Sequence, residues 1–181
     1  IIMANKHGRA IRFHESTVRE MGRTATGVRG MTLDETGDDE VIGMICIKDP
    51  EKETVMVVSE QGYGKRSEIE DYRITNRGGK GVKTLNITEK TGNLVAIKSV
   101  TDENDLVIIN KSGITLRMKV ADVRIMGRAT QGVRLINLEK RNDEIASVCK
   151  VLSETESDSS NSENIDSASE INEAEASETT E

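Results

Sequence analysis

The chain has 181 residues, with 25 basic and 32 acidic side chains and a formal net charge of −7. Ten of the 32 acids and none of the 25 basic residues lie in residues 153–181, so the body keeps 25 basic against 22 acidic side chains and a net charge of +3. The sequence has no apolar run of the roughly 18 residues that a membrane helix needs. Two tyrosines and one phenylalanine are too few for the base-stacking platform of a single-strand binder. A duplex polyanion remains compatible with this mildly basic body.

Three copies of one pattern organise residues 1–152. Their anchors are Gly27, Gly81 and Gly132, which are 54 and 51 residues apart. Each anchor is preceded at four residues by an arginine and at eight residues by another, and a valine with a cation follows it: Arg23, Arg77, Arg128; Arg19, Arg73, Arg124; Val28-Arg29, Val82-Lys83, Val133-Arg134. Such self-similarity at a period of about 50 residues predicts a repeat architecture.

Each copy contains four predicted strands in the same order. An apolar, β-branched run comes first, at residues 1–4, 54–58 and 106–109, and a glycine-containing turn follows it. The second strand carries Ile11 and Phe13 in the first copy and Ile114 and Leu116 in the third. A charged irregular segment then leads to a third strand, which begins at Val28, Val82 or Val133. Turn residues precede the fourth strand, at 41–47, 94–97 and 145–148.

Four short strands in each copy of about 50 residues predict an all-β, propeller-like fold with blades at about 1–50, 51–103 and 104–152. A blade cannot bury both of its faces alone, so the blades must stack. Three blades do not close a ring, and the chain opens on Ile1 inside a strand, so we expect a piece of a longer protein. Residues 153–181 are rich in serine and acids, and we expect this tail to be disordered.

No catalytic or metal site is predicted. His7 and His14, the two histidines, have neither triad-like nor metal-ligand spacing, and Cys46 and Cys149 are too isolated to indicate a metal site. The stretch Gly62-Tyr63-Gly64-Lys65 is not a Walker loop, because it lacks the spacing and the helix that such a loop requires. It occupies the turn position of Gly8 and Gly113 and is therefore predicted to be a hairpin turn.

The basic residues recur at the same position of each copy. In a stack of blades, one position per copy maps to one place on each blade, so recurring cations form a regularly spaced surface. Such a surface fits a regularly charged duplex, which it would contact mainly through phosphates. The alternative is that each arginine pairs with a nearby acid; the candidate acids are Glu15, Glu20, Glu68, Glu70, Asp71 and Asp122.

The segment "QGYGKRSEIEDYRITNRGGKGVKTLNITEKTGNLVAIKSV" (61–100) closely resembles the C-terminal domain of the DNA gyrase A subunit, as do residues 11–31 and 126–138. The resemblance covers essentially all of residues 1–150, and an acidic tail also fits it. It implies a β-pinwheel, a propeller-like ring of normally six blades in which neighbouring blades exchange a strand. This chain then holds the last three blades, each four-stranded, and the tail.

The resemblance further implies that the domain binds and wraps duplex DNA and supports ATP-dependent negative supercoiling by a bacterial, cytoplasmic and nucleoid-associated A2B2 enzyme. It implies no catalysis and no cofactor in this chain, since ATP and Mg²⁺ act elsewhere in that enzyme. The family's wrapping motif, Q-R-R-G-G-[KR]-G, is matched only in part by "TNRGGKG" at 75–81, where Thr75 and Asn76 replace the glutamine and the first arginine. We expect the motif itself to lie upstream of Ile1.

We therefore expect a set of cations to contact phosphates of a bent duplex: Arg23, Arg77, Lys80 and Arg128, with Lys65, Arg66, Arg73, Lys83, Arg117, Lys119 and Arg134. The tail is expected either to compete with DNA for this surface or to be an inert solvated end. Two further interpretations stay open: the related C-terminal domain of the topoisomerase IV A subunit, and a propeller that serves as a protein-interaction platform.

Overall fold

A computed structural model describes residues 1–35, 37–138 and 142–153, so all of the predicted tail except Ser153 lies outside the described residues. Within these ranges the chain is all-β, with short 3-10 turns at Glu15–Thr17, Ile69–Asp71 and Val120–Asp122. The strands are β1 Ile2–Asn5, β2 Arg9–Arg12, β3 Val41–Ile45, β4 Thr54–Ser59, β5 Tyr63–Glu68, β6 Val82–Lys83, β7 Leu94–Val100, β8 Asn104–Asn110, β9 Thr115–Lys119, β10 Val133–Arg134 and β11 Ile145–Leu152. No described helix is long and apolar enough to cross a membrane.

The strands form three antiparallel sheets, one for each predicted blade. Their strand orders are β3-β1-β2-β6, β10-β5-β4-β7 and β11-β8-β9. The apolar runs of the sequence lie at their centres, because β1, β4 and β8 each pair on both sides. The strands β3, β7 and β11 neighbour one another from sheet to sheet. The opposite side of the stack, formed by β6, β10 and β9, is here called the outer edge.

Neighbouring copies exchange a strand. β6 belongs to the second copy but pairs with β2 of the first, with Ala10 opposite Val82. β10 of the third copy pairs in the same way with β5 of the second, with Gly64 opposite Val133. The prediction of a strand beginning at Val28 is wrong, since residues 28–29 belong to no paired strand.

The middle sheet is buried on both faces. Val55 and Val57 of β4 pack toward the first sheet, in a cluster that includes Ile2 and Ala4. Met56 and Val58, which alternate with them, pack toward the third sheet. Successive side chains of a strand point to opposite faces, so a strand sandwiched between two blades must be apolar at every position. Stacking therefore explains the continuous apolar run in the centre of the second copy.

The anchor glycines lie where the exchanged strands begin. Gly81 and Gly132 have φ angles of +72° and +79°, which residues other than glycine rarely adopt. A Cβ at Gly81 would lie 2.4 Å from the Ala10 carbonyl oxygen, and one at Gly132 would lie 2.6 Å from that of Gly64. Both glycines therefore let the chain turn and approach the second strand of the preceding copy. Gly27 also has a positive φ, of +90°, but a Cβ there would meet no atom within 4 Å.

Candidate nucleic-acid interface

Most of the predicted cations lie on the outer edge, either on its strands or on the loops that lead into them. Lys83 is on β6, Arg134 on β10, and Arg117 and Lys119 on β9. The loops from the 3-10 turns to β6 and β10 carry Arg73, Arg77, Lys80 and Arg128. Arg23, Arg73, Lys80 and Lys119 are exposed, and among the described residues their side chains form no hydrogen bond or ion pair. Their positive charge is thus open to solvent.

Arg77 and Arg128 hold neighbouring copies together by identical contacts. Arg77 donates from Nε to the Thr17 carbonyl (2.9 Å) and from Nη1 to the Arg29 carbonyl (3.2 Å). Arg128 donates to the equivalent carbonyls one copy later, those of Asp71 (3.1 Å) and Lys83 (2.9 Å). The partners of these two arginines are therefore backbone carbonyls of the preceding copy. Two donors of each guanidinium group act within the fold, and the half-buried group keeps part of its surface in solvent.

A second pair of arginines makes a related junction in the opposite direction. Arg12 donates to the carbonyls of Ile69 and Tyr72, both at 3.1 Å, which are the first residue of the next copy's 3-10 turn and the residue that follows the turn. Arg66 occupies the same position one copy later and donates from Nε to the Val123 carbonyl at 2.6 Å. It also forms an ion pair with Asp102. Arg66 is 6% exposed, so its guanidinium group serves the junction and presents almost no surface to a partner.

Lys65 is completely buried and bound to backbone carbonyls. Its ammonium group donates to the carbonyl of Gly127 at 2.6 Å and to that of Arg128. Burial lowers the pKa of Lys65 to about 8. The charge of Asp71 opposes this shift, and the charge of Arg128 adds to it. The expectation that Lys65 and Arg66 touch phosphates does not fit their placement, because β5 is covered by β10 and the loop before it. In the sequence, Lys65 and Arg66 are simply two cations that follow a turn. They face inward because the exchanged strand and the loop before it lie against them.

Three outer-edge cations have side-chain partners. Arg117 pairs with Asp105 of the neighbouring strand β8 at 2.8 Å, an acid outside the set that the local-pairing alternative named. Arg134 donates from Nη2 to the Tyr63 hydroxyl at 2.9 Å, and its guanidinium carbon lies 5.5 Å from the centre of the ring. Lys83 donates to the Asn86 side chain at 3.4 Å, near the limit for a hydrogen bond. All three side chains remain exposed, so a phosphate can still approach them.

The glycine-rich loop 76–81 is a turn that belongs to the junction between the first two copies. The Gly78 amide donates to the Gly30 carbonyl at 2.6 Å, and the Thr32 hydroxyl donates to the Gly78 carbonyl at 2.6 Å. The Gly78 amide, bound to this carbonyl, is therefore not free to hold a phosphate. A cleft of about 290 Å³ lies beside the loop and is lined by Arg73, Lys80 and eight other residues. The cations that line it are Lys80 of the loop, Arg73 before the loop and Arg12 of β2.

One cluster of ionisable residues gave no signal in the sequence. His7 contacts Asp34 through Nδ1 and lies 3.3 Å from Asp38 through Nε2, across a separation of about 30 residues. The buried Asp39 carboxylate accepts hydrogen bonds from the Asn5 side chain (2.6 Å) and from the Asp34 amide (3.1 Å). The Asp34 hydrogen bond raises the pKa of His7 above 6.5, and the charges of Asp34, Asp39 and Asp38 add to this effect against a smaller opposing effect of burial. Mutual hydrogen bonding explains the cluster, which ties the first hairpin to the loop before β3.

The stacked sheets, the exchanged strands and the cationic outer edge define a propeller-type repeat domain. The profile of a family described as the DNA gyrase C-terminal domain, a beta-propeller, matches residues 1–48, 53–101 and 104–149. The DNA gyrase A subunit of Staphylococcus aureus strain NCTC 8325 / PS 47 is 47% identical over 163 residues, which are 90% of this chain and 18% of that protein. The same protein of strain MRSA252 is 52% identical over 138 residues, 76% of this chain and 15% of that protein. The chain belongs to the family of C-terminal domains of the DNA gyrase A subunit.

Solved structures agree with this fold. A gyrase A C-terminal domain is 27% identical, with a TM-score of 0.70 over 83% of this chain and 50% of that chain. A C-terminal domain of DNA topoisomerase IV is 24% identical, with a TM-score of 0.77 over 83% of this chain and 46% of that chain. The second likeness shows the fold alone, so sequence identity rather than shape separates gyrase from topoisomerase IV. The chain spans less than a fifth of the length of the curated relatives it matches.

Proposed function

We propose that this chain binds and bends duplex DNA as the wrapping domain of a DNA gyrase A subunit. The observation that carries the proposal is the recurrence of exposed cations at equivalent positions of successive copies: Arg19, Arg73 and Arg124; Arg29, Lys83 and Arg134. Blades that repeat a positive charge along one edge match a duplex that repeats a negative charge along its axis. The stack of rigid sheets then sets the path along which phosphates are held.

The energy of bending is compatible with this number of cations. Smooth bending of 20–30 base pairs by 40–90° costs about 1–6 kcal/mol. Each phosphate that a lysine or arginine neutralises releases counterions, and this release favours binding at low salt. The cations proposed to contact phosphates are now Arg19, Arg23, Arg29, Arg73, Arg77, Lys80, Lys83, Arg117, Lys119, Arg124, Arg128 and Arg134. Lys65 and Arg66 contribute indirectly, by holding the loop that carries Arg128 and the turn before it.

The chain itself is proposed to cut no DNA and to hydrolyse no nucleotide. It acts within a bacterial cytoplasmic A2B2 enzyme at the nucleoid, where the rest of the A subunit, together with the B subunit, supplies cleavage and ATP hydrolysis with Mg²⁺. Its part in negative supercoiling is to bend a DNA segment and direct it back to the catalytic core. The A subunit of topoisomerase IV, the related alternative, would bind DNA through the same edge.

Salt dependence tests the proposal. We expect the full chain to bind a duplex with an affinity that falls linearly with the logarithm of salt concentration. Replacing Arg73 and Lys80 by alanine removes two exposed cations beside the cleft, and the slope should flatten by about 0.9 for each lost phosphate contact. Fluorescence anisotropy with a labelled duplex measures the slope.

Lys52→Ala is the matched control, since Lys52 is 80% exposed in the turn before β4 and pairs only weakly with Asp49 at 3.5 Å. Its slope should equal that of the unmodified chain. Identical slopes for the Arg73/Lys80 variant and the unmodified chain would refute this assignment of the interface. Salt-insensitive or absent DNA binding by the unmodified chain would favour the protein-interaction platform.

A further inference from the structure

Two large apolar side chains stand exposed at the same position of successive copies. Ile74 is 60% exposed and Ile125 is 45% exposed, and each lies twelve residues after the hairpin glycine of its copy, Gly62 or Gly113. The first copy has Glu20 at this position. A single exposed isoleucine is ordinary in a folded protein. Exposure that recurs at the same position of two copies is a feature of the outer edge and calls for a partner.

The backbone of both isoleucines is held firmly. Ile74 forms a parallel bridge with Arg12, and Ile125 forms the equivalent bridge with Arg66. The amide after each isoleucine, of Thr75 or Met126, donates to the carbonyl of that same arginine at 2.8 Å. These bonds keep each isoleucine from folding back onto the protein. Each side chain therefore projects from a rigid backbone. A side chain that inserts into a binding partner needs such rigid support.

The surroundings of both isoleucines are cationic. Exposed Arg73 precedes Ile74 and exposed Arg124 precedes Ile125, while Arg77 and Arg128 follow at three residues. Cations that repeat from copy to copy match the repeating phosphates of a duplex, a pattern that a globular protein partner does not offer. An apolar side chain among phosphate-binding cations is instead the arrangement of proteins that insert a wedge between base pairs from the minor groove. The surroundings therefore favour duplex DNA.

We propose that Ile74 and Ile125 enter the minor groove of bound duplex DNA and wedge between neighbouring base pairs, one in each copy. Each wedge unstacks a base step and thereby determines where the duplex bends, while the flanking arginines hold the phosphates on either side. Flexible pyrimidine–purine steps accept such a wedge at the lowest cost, so they are the preferred sites. This inference rests on the proposed function, since it needs DNA on the outer edge.

The test uses the full chain and a duplex with 2-aminopurine in place of adenine at successive TA steps, because this base fluoresces more strongly when it is unstacked. The unmodified chain should raise the fluorescence and shorten the end-to-end distance measured by energy transfer. The double substitution Ile74→Ser with Ile125→Ser should abolish both signals and weaken binding by about a hundredfold, about tenfold for each large aliphatic side chain that is no longer buried. Its salt slope should not change, because no cation is lost.

Two variants control for general effects of the substitution. Leu152→Ser removes an apolar side chain that is 79% exposed at the end of β11 and should leave every signal unchanged. Ile74→Met with Ile125→Met keeps an apolar side chain at each position and should restore the fluorescence and the bend. Both the serine and the methionine variants should keep the stability of the unmodified chain, since the replaced side chains are largely in solvent.

The outcomes separate this inference from the function on which it rests. Salt-dependent binding by the unmodified chain, with unchanged fluorescence and bend in the serine variant, overturns the wedge and leaves the proposed function standing. A serine variant that binds DNA normally but loses contact with another part of its own enzyme also overturns the wedge. Failure of the unmodified chain to bind duplex DNA overturns both.

Discussion

Arg77 and Arg128 each donate two hydrogen bonds to backbone carbonyls of the preceding copy. The planar guanidinium group presents its donors in a fixed fork, so each arginine reaches carbonyls of two separate segments, whereas the ammonium group of Lys65 binds two neighbouring carbonyls of one loop. Arg23 occupies the same position in the first copy, where the chain has no preceding copy to bind. The arginine at this position therefore holds a junction in the second and third copies and remains exposed in the first.

This difference predicts unequal costs of a conservative change. Arg77→Lys and Arg128→Lys should each lower the free energy of unfolding by about 1–3 kcal/mol, the value of hydrogen bonds made by a charged donor. Arg23→Lys keeps the charge and has no junction to break, so it is the matched control and should cost close to nothing. Urea unfolding followed by circular dichroism gives all three values. Equal stability of the three variants would show that the carbonyl contacts add nothing.

His7 gives the protein a pH-dependent contact at the first hairpin. Because the pKa of His7 is raised above 6.5 in the folded state, its stabilising contribution is complete below pH 6.5 and is lost as the pH rises through the raised value. His7→Gln should therefore lower the melting temperature more at pH 6 than at pH 8. His14→Gln is the control, since His14 accepts a local hydrogen bond from the Ser16 amide. A pH-independent difference between the His7 variant and the unmodified chain would contradict the assignment.

At the scale of elements, the exchanged strands β6 and β10 connect the copies. Each has two residues, so each depends on the sheet that it joins rather than on its own propensity. The copies are visible in the sequence because each must supply the same glycine, valine and cation in order. The pairing of a strand with the preceding copy is not visible there, because Val28, Val82 and Val133 look alike while only the last two find a partner.

Substitution of the anchor glycines tests how closely an exchanged strand must approach the sheet that it joins. Gly81→Ala places a methyl group against the Ala10 carbonyl, whereas Gly27→Ala places it in open space, and both positions share the strain of a positive φ. We expect Gly81→Ala to cost about 1–3 kcal/mol more than Gly27→Ala, as overpacking does. The comparison of denaturation midpoints isolates the close approach of the two strands. Similar midpoints would mean that β6 can shift outward without loss.

At the scale of the whole molecule, the extent of burial differs between the middle sheet and the third sheet of the stack. The middle sheet has a neighbour on each side, and its strand β4 is buried along its whole length. The third sheet has a covered face and an open one, and β9 is alternately exposed and half-buried. Because stability in such stacks comes from contacts between neighbouring units, the middle copy should be the most resistant to local unfolding.

The tail carries the largest concentration of acidic residues in the chain, and it lies beyond the described residues. Its ten acids and the cations of the outer edge are of opposite sign, so we expect the tail to compete with DNA. Deleting residues 154–181, which spares the Ser153 contact with Asp105, should tighten duplex binding at low salt and have less effect at high salt. Titration of the two chains with the same duplex measures the difference, and equal affinities at low salt would identify the tail as an inert end.

The sequence by itself determined the number of copies, the all-β class, the order of strands in the second and third copies and the family, because each depends on local pattern or on recurring residues. It also showed that cations recur at equivalent positions of the copies, but not which side of the stack they occupy. Only the tertiary structure decided that Lys65 and Arg66 face inward, that Arg77 and Arg128 hold carbonyls of the preceding copy, and that His7 meets Asp34. These outcomes depend on contacts between copies and on exchanged strands, and a single copy read along its own length contains neither.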